Sequence, residues 1–542
     1  MGRSKAAVRK APRSGDGEIE WPPMLHSSSG CFVEERSALL DIRSSLPRAH
    51  SLSALDSWGE DGDDCCSWER VKCNNTTQRV SHLNLISIFQ TYSHDHWYLN
   101  LTVFSALHEL EYLDLSNNNP CSLLAMEGLV GLSKLRFLDL SRTTEGGGFP
   151  DILGRIVSLE GLSLYGNYMT GGLSSAAFEN FRNLRQLDMS WNSFSGDLPA
   201  LLFTLPSLWF LDLSINSFSG QIPINSSSGP ISLEVLNLGF NNLSGTLPVG
   251  ALKNIRNLKL NNNLFKGSLP GSIFSLPRLK FLDLSHNNFE GHFRINLSPE
   301  PVPLQVLCHN NISGSLPACI GNISFKGNTD DQIFQSFDRI EAQSYSGSFH
   351  LRDFTFATKG NLYTYGRSFF ISMSGIDLST NMLDGEIPWE LGNLSHIKSL
   401  NLSNNLFVGP IPTTFGGMEE IGSLDLSHNK LSGPIPWQLT QLSSLGAFSV
   451  AYNNLSGCIP NSGQLGSFSM DRYLANTNLH KITHGDTCAA PGPDPAVGKD
   501  MEEMPGDRVL YVATAAGFVL AFWATIGFSF CHPYIRSVML KL

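Results

Sequence analysis

The sequence predicts an α/β solenoid, in which one short structural unit is repeated along most of the 542 residues. Three observations support this: a recurring asparagine, a leucine template around it, and a glycine and a proline at fixed positions after it. The asparagines recur every 22 to 25 residues within two series, which are Asn167, Asn192, Asn216, Asn241, Asn263 and Asn287, then Asn381, Asn405, Asn429 and Asn453. A unit that cannot bury its own apolar face and recurs at this period indicates stacked repeats.

Each part of the template LxxLxLxxNxLxGxIP has a structural reason. The segment xxLxLxx predicts a short strand whose leucines point into the core, while the residues between them face the concave surface. The asparagine can satisfy backbone groups that burial would leave unpaired. The glycine permits a tight chain reversal and the proline ends the next extended piece. We count about ten units before residue 322 and four after residue 372, and the unit at 304–317 is two residues short, which leaves its register open.

The composition indicates a folded protein that does not bind nucleic acid. Hydrophobic residues make up 42% and charged residues 16% of the chain. The formal net charge is -11, with no stretch rich in Lys and Arg beyond the first dozen residues. A surface that neutralises phosphates needs such basic residues.

Cysteines and glycosylation sequons favour a secreted, oxidising environment. Ten cysteines are present, and four of them cluster at Cys31, Cys65, Cys66 and Cys73 without metal-site spacing. Eleven Asn-x-Ser/Thr sequons occur, at Asn74, Asn75, Asn100, Asn225, Asn242, Asn296, Asn311, Asn322, Asn393, Asn401 and Asn454. Each sequon alone is as easily an accident of a repeat rich in Asn and Ser. Residues 1–30 have a basic start but lack the apolar core of a secretory signal, so we expect a missing upstream segment to supply one.

The GxIP ending and the 24-residue unit resemble plant-type leucine-rich repeats, which form a right-handed superhelix. The segment from "CFVEERSALLDIRSSL" to "CCSWERVKC" resembles the amino-terminal cap of plant extracellular leucine-rich repeat proteins. That resemblance implies disulfides joining Cys31 to Cys65 and Cys66 to Cys73. Near the carboxyl end the cysteine pattern of the family is altered. Cys488 therefore lacks its usual disulfide partner, and Cys458 is the alternative partner that we consider.

The repeat template disappears between Asn322 and Ser372, in an aromatic-rich stretch that is too apolar for a tether. This stretch resembles the island domain of plant leucine-rich repeat receptors, which precedes their last four repeats. A disordered insertion is the alternative. In some members a Tyr stands eight residues before a Lys-Gly pair; here Lys359 and Gly360 are present but His350 replaces the Tyr.

A single apolar stretch at 509–530 predicts one transmembrane helix. Acidic residues precede it and Arg536 and Lys541 follow it, so the repeats are expected outside a plasma membrane in type I topology. A buried soluble helix is the alternative. Twelve residues follow the span and contain no kinase motif, so a signal must come from a partner. Cys531 at the membrane edge is either a palmitoylation site or a bystander thiol.

Small residues line one face of this predicted helix, namely Ala513, Gly517, Ala521 and Thr525. Such a face lets a partner helix approach closely; chance spacing is the alternative. The resemblance to receptor-like proteins implies pairing with a single-pass adaptor receptor kinase here, and a short-ectodomain co-receptor kinase facing the last four repeats. The predicted organisation is leader 1–30, cap 31–78, repeats 79–321, island 322–372, repeats 373–460, acidic juxtamembrane cap 461–508, span 509–530 and tail 531–542.

Large apolar residues in solvent-facing strand positions suggest a ligand-binding patch. The candidates are Trp191, Trp209, Phe210, Ile215 and Phe240. Exposed aromatic clusters mark binding surfaces when they are not covered. Scattered surface aromatics or cover by a glycan is an equally simple explanation.

Three function classes remain. The resemblance favours a kinase-less receptor-like protein that binds an extracellular peptide, protein or glycan fragment, in immunity or development. An inhibitor of secreted cell-wall hydrolases such as polygalacturonase is the second class, but those relatives lack both island and span. An enzyme is the third, and no catalytic constellation or cofactor motif stands out from the repeated Asp and Ser of "LDLS".

Overall fold

The computed structural model describes residues 31–47, 55, 58–59, 64–89, 96–119, 121–224, 231–295, 304–323, 354–358, 361–365 and 374–481. All of them belong to the first of two units, Met1–Asp486.

A sheet of short strands runs through the described repeats, and we call it the main sheet. Its fifteen strands in spatial order are Val71–Cys73, Val80–Asn84, Tyr112–Asp114, Phe137–Asp139, Gly161–Ser163, Gln186–Asp188, Phe210–Asp212, Val235–Asn237, Asn257–Lys259, Phe281–Asp283, Leu304–Val306, Gly375–Asp377, Ser399–Asn401, Ser423–Asp425 and Ala447–Ser449. The first pair is antiparallel and the others are parallel. Leu211 lies opposite Leu187 and Leu236, so the template leucines form buried columns.

Smaller sheets lie where the template passes its glycine. One sheet contains Thr170–Gly171, Ser193–Asp197, Ser217–Gly220, Asn242–Gly245, Leu264–Ser268, Asn288–His292, Asn311–Ser315 and Met382–Asp384. Another contains Val408–Gly409, Lys430–Gly433, Asn454–Ile459 and Asn478–Lys481. Two pairs complete the set, Trp97–Asn100 with Cys121–Leu124 and Phe354–Thr358 with Asn361–Tyr365.

The helical segments between the sheets are short 3-10 helices, so the α/β expectation is only partly met. Two α-helices are described, Val33–Ser45 and Glu127–Val130. The 3-10 helices are Cys65–Ser67, Leu101–Ala106, Asp151–Arg155, Ser175–Phe178, Ala200–Thr204, Val249–Ala251, Gly271–Ser275, Ala318–Asn322, Trp389–Asn393, Thr413–Gly417, Trp437–Gln441, Gly463–Ser467 and Met470–Tyr473. Consecutive 3-10 helices pack closely: a methyl group at Gly392 would overlap the Thr414 carbonyl.

The cap closes the first exposed edge of the repeat core. The predicted disulfides Cys31–Cys65 and Cys66–Cys73 are confirmed, each with Cα atoms 5.4 Å apart. Helix Val33–Ser45 buries Leu39 and Ile42. Glu35 is also buried, and it accepts a hydrogen bond from the Val80 amide and pairs with Arg79. These contacts tie the cap helix to the first parallel strand.

The stretch from 324 to 373 does not interrupt the repeat stack. Strand Leu304–Val306 pairs directly with Gly375–Asp377, with Leu304 opposite Gly375. The unit at 304–317 is in regular register, because Asn310 makes the same contacts as the other template asparagines. We call the repeats at 80–323 the first block and those at 374–481 the second block. Ten main-sheet strands belong to the first block and four to the second.

Several sequence predictions fall outside the described residues. These are the leader, most of the island with His350, Lys359 and Gly360, the span at 509–530 with its small-residue face, Cys488 and the tail. Cys458 is disulfide-bonded. Among the described residues, no helix has both the length and the apolar character needed to cross a membrane.

Candidate functional site

The template asparagines form a buried hydrogen-bond ladder that supports the main sheet. Asn405 donates from Nδ2 to the carbonyls of Leu378, Leu402 and Ser403, at 3.0 to 3.1 Å. Its Oδ1 accepts from the Leu383 amide at 3.1 Å. One side chain therefore pairs four backbone groups across two rungs, which burial would otherwise leave costly and unpaired.

Buried carboxylates accompany this ladder on the strand face. In five rungs an aspartate accepts hydrogen bonds from the amide and hydroxyl of the serine two residues later, as in Asp377 and Ser379 at 3.0 and 2.7 Å. Burial raises the pKa of Asp377 to about 6, although these hydrogen bonds oppose the shift. Burial also raises the pKa of Asp188, Asp212 and Asp283. The charged state of this face therefore changes in mildly acidic solution.

The residue before each ladder asparagine has a left-handed backbone conformation. Trp191, Ile215 and Phe240 have φ of 56°, 55° and 56°. The same conformation recurs in both blocks, for example at His286, His309, Thr380, Asn404, His428 and Tyr452. Bulky and β-branched residues are uncommon there, and such strain costs of order 1–3 kcal/mol. The fold therefore presents this row of side chains, which we call the left-handed row, at a fixed backbone geometry.

The structure separates the five predicted ligand-binding residues into exposed and buried members. Trp191 and Phe240 are 53% and 52% exposed. Ile215 and Trp209 are half-buried. Phe210 is only 4% exposed, so the expectation that it belongs to an exposed cluster was wrong. It packs against Val235 of the next strand and against Trp209, whose ring centroid is 5.9 Å away.

Trp209 interrupts a row of charges along one edge of the main sheet. The residue just before each strand reads Glu111, Arg136, Glu160, Arg185, Trp209, Glu234, Arg256 and Lys280. Arg136 donates two hydrogen bonds to Glu160, at 2.7 and 3.1 Å, and Arg256 pairs with Glu234. An aromatic ring thus occupies a position at which its neighbours carry charge, directly beside the buried Phe210.

Sequence reasoning missed three side chains that extend the patch toward the cap. The Tyr165 ring lies 6.2 Å from that of Trp191. Arg142 donates to the Tyr165 hydroxyl at 3.0 Å and lies over its ring, 5.1 Å from the centroid. Tyr168 is exposed. Tyr165 lies two residues before the ladder residue Asn167 and Tyr168 one residue after it. Their positions relative to this asparagine could have identified them in the sequence.

The second block presents a different surface on the same strands. Its main-sheet strands begin with small residues, Gly375, Ser399, Ser423 and Ala447. The positions just before them hold Ser374, Lys398, Gly422 and Gly446. Backbone of another molecule could approach this strand edge more closely than in the first block.

The predicted glycosylation sites differ in accessibility. The exposed asparagines are Asn75, Asn100, Asn242, Asn311, Asn322, Asn393 and Asn454. Asn74 is half-buried and accepts a hydrogen bond from the Thr76 amide. Asn401 is half-buried in the main sheet and accepts from the amide and hydroxyl of Ser403, so the expectation that it carries a glycan does not fit its position. Asn225 and Asn296 lie outside the described residues.

Comparison with protein families identifies the same repeats. The family described as "Leucine rich repeat N-terminal domain" matches residues 34–74. The family described as "Leucine Rich Repeat" matches residues 183–205, 232–251, 278–299, 396–418 and 421–442. The matched segments are therefore similar to leucine-rich repeat families. These matches fall on the cap and on rungs of both blocks.

The most similar relatives include plant receptor-like proteins, which confirms the predicted resemblance. Receptor-like protein 9a of Arabidopsis thaliana is 34% identical over 176 residues, covering 32% of this chain and 18% of the relative. Cuscuta receptor 1 of Solanum lycopersicum is 33% identical over 275 residues, covering 49% of this chain and 21% of the relative. The matched part therefore spans only about a fifth of the length of these proteins.

Solved leucine-rich repeat ectodomains are more distant. The plant membrane receptor kinase GASSHO1/SCHENGEN3 of Arabidopsis thaliana, in complex with CASPARIAN STRIP INTEGRITY FACTOR 2, is 22% identical with a TM-score of 0.40, covering 82% of this chain and 62% of that one. The plant peptide hormone receptor RGFR1 in complex with RGF2 is 21% identical with a TM-score of 0.43, covering 77% and 84%. Likeness at this level adds nothing to the repeat fold described above.

Proposed function

We propose that the protein is the ligand-binding chain of a plant cell-surface receptor system, and that the main-sheet surface of the first block binds the ligand. One observation carries this proposal: Trp191 and Phe240 are half exposed on the left-handed row, in the rung before and the rung after that of Phe210. Aromatic anchors of this kind dominate binding energy at protein interfaces. The ligand that fits is an extracellular peptide or protein with apolar side chains.

The signalling role is proposed from the family and from the sequence. The relatives are receptor-like proteins, and no catalytic constellation supports an enzyme. The small residues at which the second-block strands begin are the proposed contact for a short-ectodomain co-receptor kinase. The face of Ala513, Gly517, Ala521 and Thr525 is the proposed contact for an adaptor kinase, within a membrane span at 509–530.

A binding measurement on the full chain tests the ligand surface. The chain is displayed on plant cells with an added signal peptide, and binding of fluorescent secreted peptides is measured. The double variant Trp191→Ala and Phe240→Ala should weaken binding of any captured peptide by about several hundredfold, because hot-spot aromatics contribute about 2 kcal/mol or more each.

A matched control separates this surface from general effects of losing tryptophan. Trp389 and Trp437 are 59% and 52% exposed at the first positions of two 3-10 helices, away from the main sheet. Replacing both with Ala should leave binding and surface abundance unchanged. Equal loss in both double variants, or no loss in the first, would contradict the proposed surface.

A fractionation experiment tests the membrane assignment. The displayed chain should remain in the membrane pellet after alkaline carbonate extraction and should carry glycans that endoglycosidase removes. Release of the chain by carbonate would instead favour the alternative, a soluble inhibitor of cell-wall hydrolases. Binding to purified polygalacturonase would then be the measurement that supports that alternative.

Pairing at the predicted helix face is tested separately. Gly517→Leu with Ala521→Leu keeps the span hydrophobic but adds bulk where a partner backbone would approach. We expect unchanged membrane insertion and lost co-precipitation with the adaptor kinase. Retained co-precipitation would remove this face as the docking surface.

A further inference from the structure

Three metal-binding side chains meet on adjacent rungs of the first block. The ligand atoms of His286, Cys308 and His309 all lie within 4.8 Å of one another. The two imidazole rings stack with centroids 4.0 Å apart and an interplanar angle of 12°. Both rings are exposed, and the thiol lies buried at the base of the group. His286 and His309 lie on the left-handed row, two and three rungs beyond Phe240.

The thiol of Cys308 occupies the position that a serine holds in the rungs on either side. In the preceding rung the Ser285 hydroxyl donates to Asp283 at 2.6 Å. In the next rung the Ser379 hydroxyl donates to Asp377 at 2.7 Å. The rung between them has Val306 and Cys308 at the corresponding positions. Cys308 therefore lacks a carboxylate partner in its own rung and instead interacts with Ser285.

The group has the donor set of a zinc site with an open position. Two imidazole nitrogens and one thiolate are typical Zn²⁺ ligands, and three protein ligands leave a fourth position for water or another molecule. We propose that His286, Cys308 and His309 bind Zn²⁺ or a divalent transition metal of similar ligand preference, with the fourth position open to solvent. Ligand atoms around tetrahedral zinc are about 3.3–3.7 Å apart. The two imidazoles are exposed, so they can rotate out of their stack to direct one nitrogen each at the same ion at this spacing.

The surrounding charges favour a cation. Asp283 and Asp377 lie near Cys308, and their charges add to burial in raising the pKa of its thiol. Lys259 acts on Asp283 in the opposite sense. Burial lowers the pKa of His286 and His309. Metal binding would displace the Cys308 proton to solvent and form the sulfur-metal bond.

A second stack on the left-handed row provides a built-in comparison. His428 and Tyr452 also stack, with centroids 4.1 Å apart. The residue at the thiol position there, immediately before the second ring, is Ala451, which has no metal-binding side chain. The same backbone geometry thus occurs without a cysteine or a second imidazole, and it should not hold the metal.

Metal titration of the full chain, purified without a histidine tag and stripped with a chelator, tests the site. Calorimetry with Zn²⁺ should show one site per chain. Co²⁺ should give a near-ultraviolet thiolate-to-metal absorption band. Cys308→Ser should abolish this band, and His309→Gln should weaken Zn²⁺ binding at least about tenfold. His428→Gln and Cys319→Ser should leave both readouts unchanged.

A measurement on the unaltered protein keeps the proposal testable if a variant fails to fold. Zn²⁺ should raise the melting temperature, because a ligand that binds only the folded state stabilises it. The shift should be absent in His309→Gln and present in His428→Gln. No stabilisation by Zn²⁺ in the unaltered chain, or a Co²⁺ band that survives Cys308→Ser, would overturn the proposal.

Discussion

The two repeat blocks have the same internal framework and different surfaces. Asn287 in the first block donates to the carbonyls of Leu260, Leu284 and Ser285 at 2.9 to 3.1 Å. Asn405 in the second block makes the equivalent three bonds at 3.0 to 3.1 Å. At the strand edge, however, the first block presents mostly charges and Trp209, whereas the second presents Ser374, Gly422 and Gly446 beside a single charge, Lys398.

This difference shows which positions the fold constrains and which it leaves to function. The ladder is constrained because each asparagine forms hydrogen bonds with buried backbone groups that would otherwise lack a partner. The strand-edge residues contact solvent, so they can change without loss of framework. Aromatic anchors on one block and a small-residue edge on the other suit two different contacts, a ligand and a second receptor chain.

The largest expected effect comes from removing a ladder asparagine. Asn287→Ala and Asn405→Ala should each destabilise the protein by about 3–5 kcal/mol, because four backbone groups lose their partners. If the framework is equivalent, the two losses should agree within about 1 kcal/mol. Chemical unfolding followed by circular dichroism measures both.

The neighbouring residue provides the control for this prediction. Asn404→Gly alters an exposed side chain at φ 53°, where glycine is unstrained, so stability should change little. A large difference between Asn287→Ala and Asn405→Ala would show that the blocks do not share one framework.

The ladder and the cap were predictable from sequence because both are local patterns. The template places leucines and asparagine within one rung, and the cap disulfides were implied by the resemblance of residues 31–73 to plant leucine-rich repeat caps. Asn310 was missed because the unit at 304–317 is short, although "HNN" at 309–311 repeats the "HNN" at 286–288. That repetition was the available signal for its register.

Side-chain exposure on the strand face was harder to predict, because it depends on neighbouring rungs. Phe210 is buried by Val235, which is 25 residues away in sequence but adjacent in the sheet. The grouping of His286 with Cys308 likewise requires the rung register. A single-rung template contains no information about such contacts between rungs.

The next largest effect is a change of stability with pH, which we attribute mainly to Asp377 in the first rung after residues 324–373. The pKa of Asp377 is about 6 in the folded state, against about 4 for an unfolded aspartate. Between these values the folded state binds more protons, so stability should fall as pH rises from about 4 to about 6, by at most about 3 kcal/mol. The raised pKa of Asp283, Asp188 and Asp212 acts in the same direction.

Asp377→Asn tests this dependence, because an amide keeps an acceptor for Ser379 but does not ionise. Urea unfolding at several pH values should show a smaller loss of stability between pH 4 and 6 in the variant. An unchanged slope would assign the pH dependence to other groups.

A smaller effect is expected where the blocks pack against each other. A methyl group at Gly321, in the last 3-10 helix of the first block, would overlap the carbonyl of Glu390 in the first 3-10 helix of the second. Gly321→Ala should therefore cost about 1–3 kcal/mol, as overpacking does. Gly131→Ala is the control, since a methyl there meets nothing within 4 Å. Equal thermal stability of the two variants would contradict this contact.

The smallest effect concerns the left-handed row. Ile215 and Thr380 are β-branched residues with φ of 55° and 52°, one in each block. Asparagine tolerates this conformation better. Ile215→Asn and Thr380→Asn should each raise stability by up to about 1 kcal/mol, measured as a shift of the urea midpoint. Destabilisation by both would show that side-chain contacts outweigh backbone strain in this row.

The central claim is that the two blocks form one continuous repeat stack across the stretch from 324 to 373. Asn381, in the second block, accepts a hydrogen bond from the Ile312 amide of the first block at 3.2 Å and donates to the Leu307 carbonyl at 3.0 Å. Hydrogen exchange at the Ile312 amide tests this directly. Asn381→Ala should accelerate that exchange at least about tenfold, whereas Asn453→Ala, whose Oδ1 accepts from the Leu431 amide, should not. Equal exchange at Ile312 in the unaltered chain and in Asn381→Ala would contradict the claim.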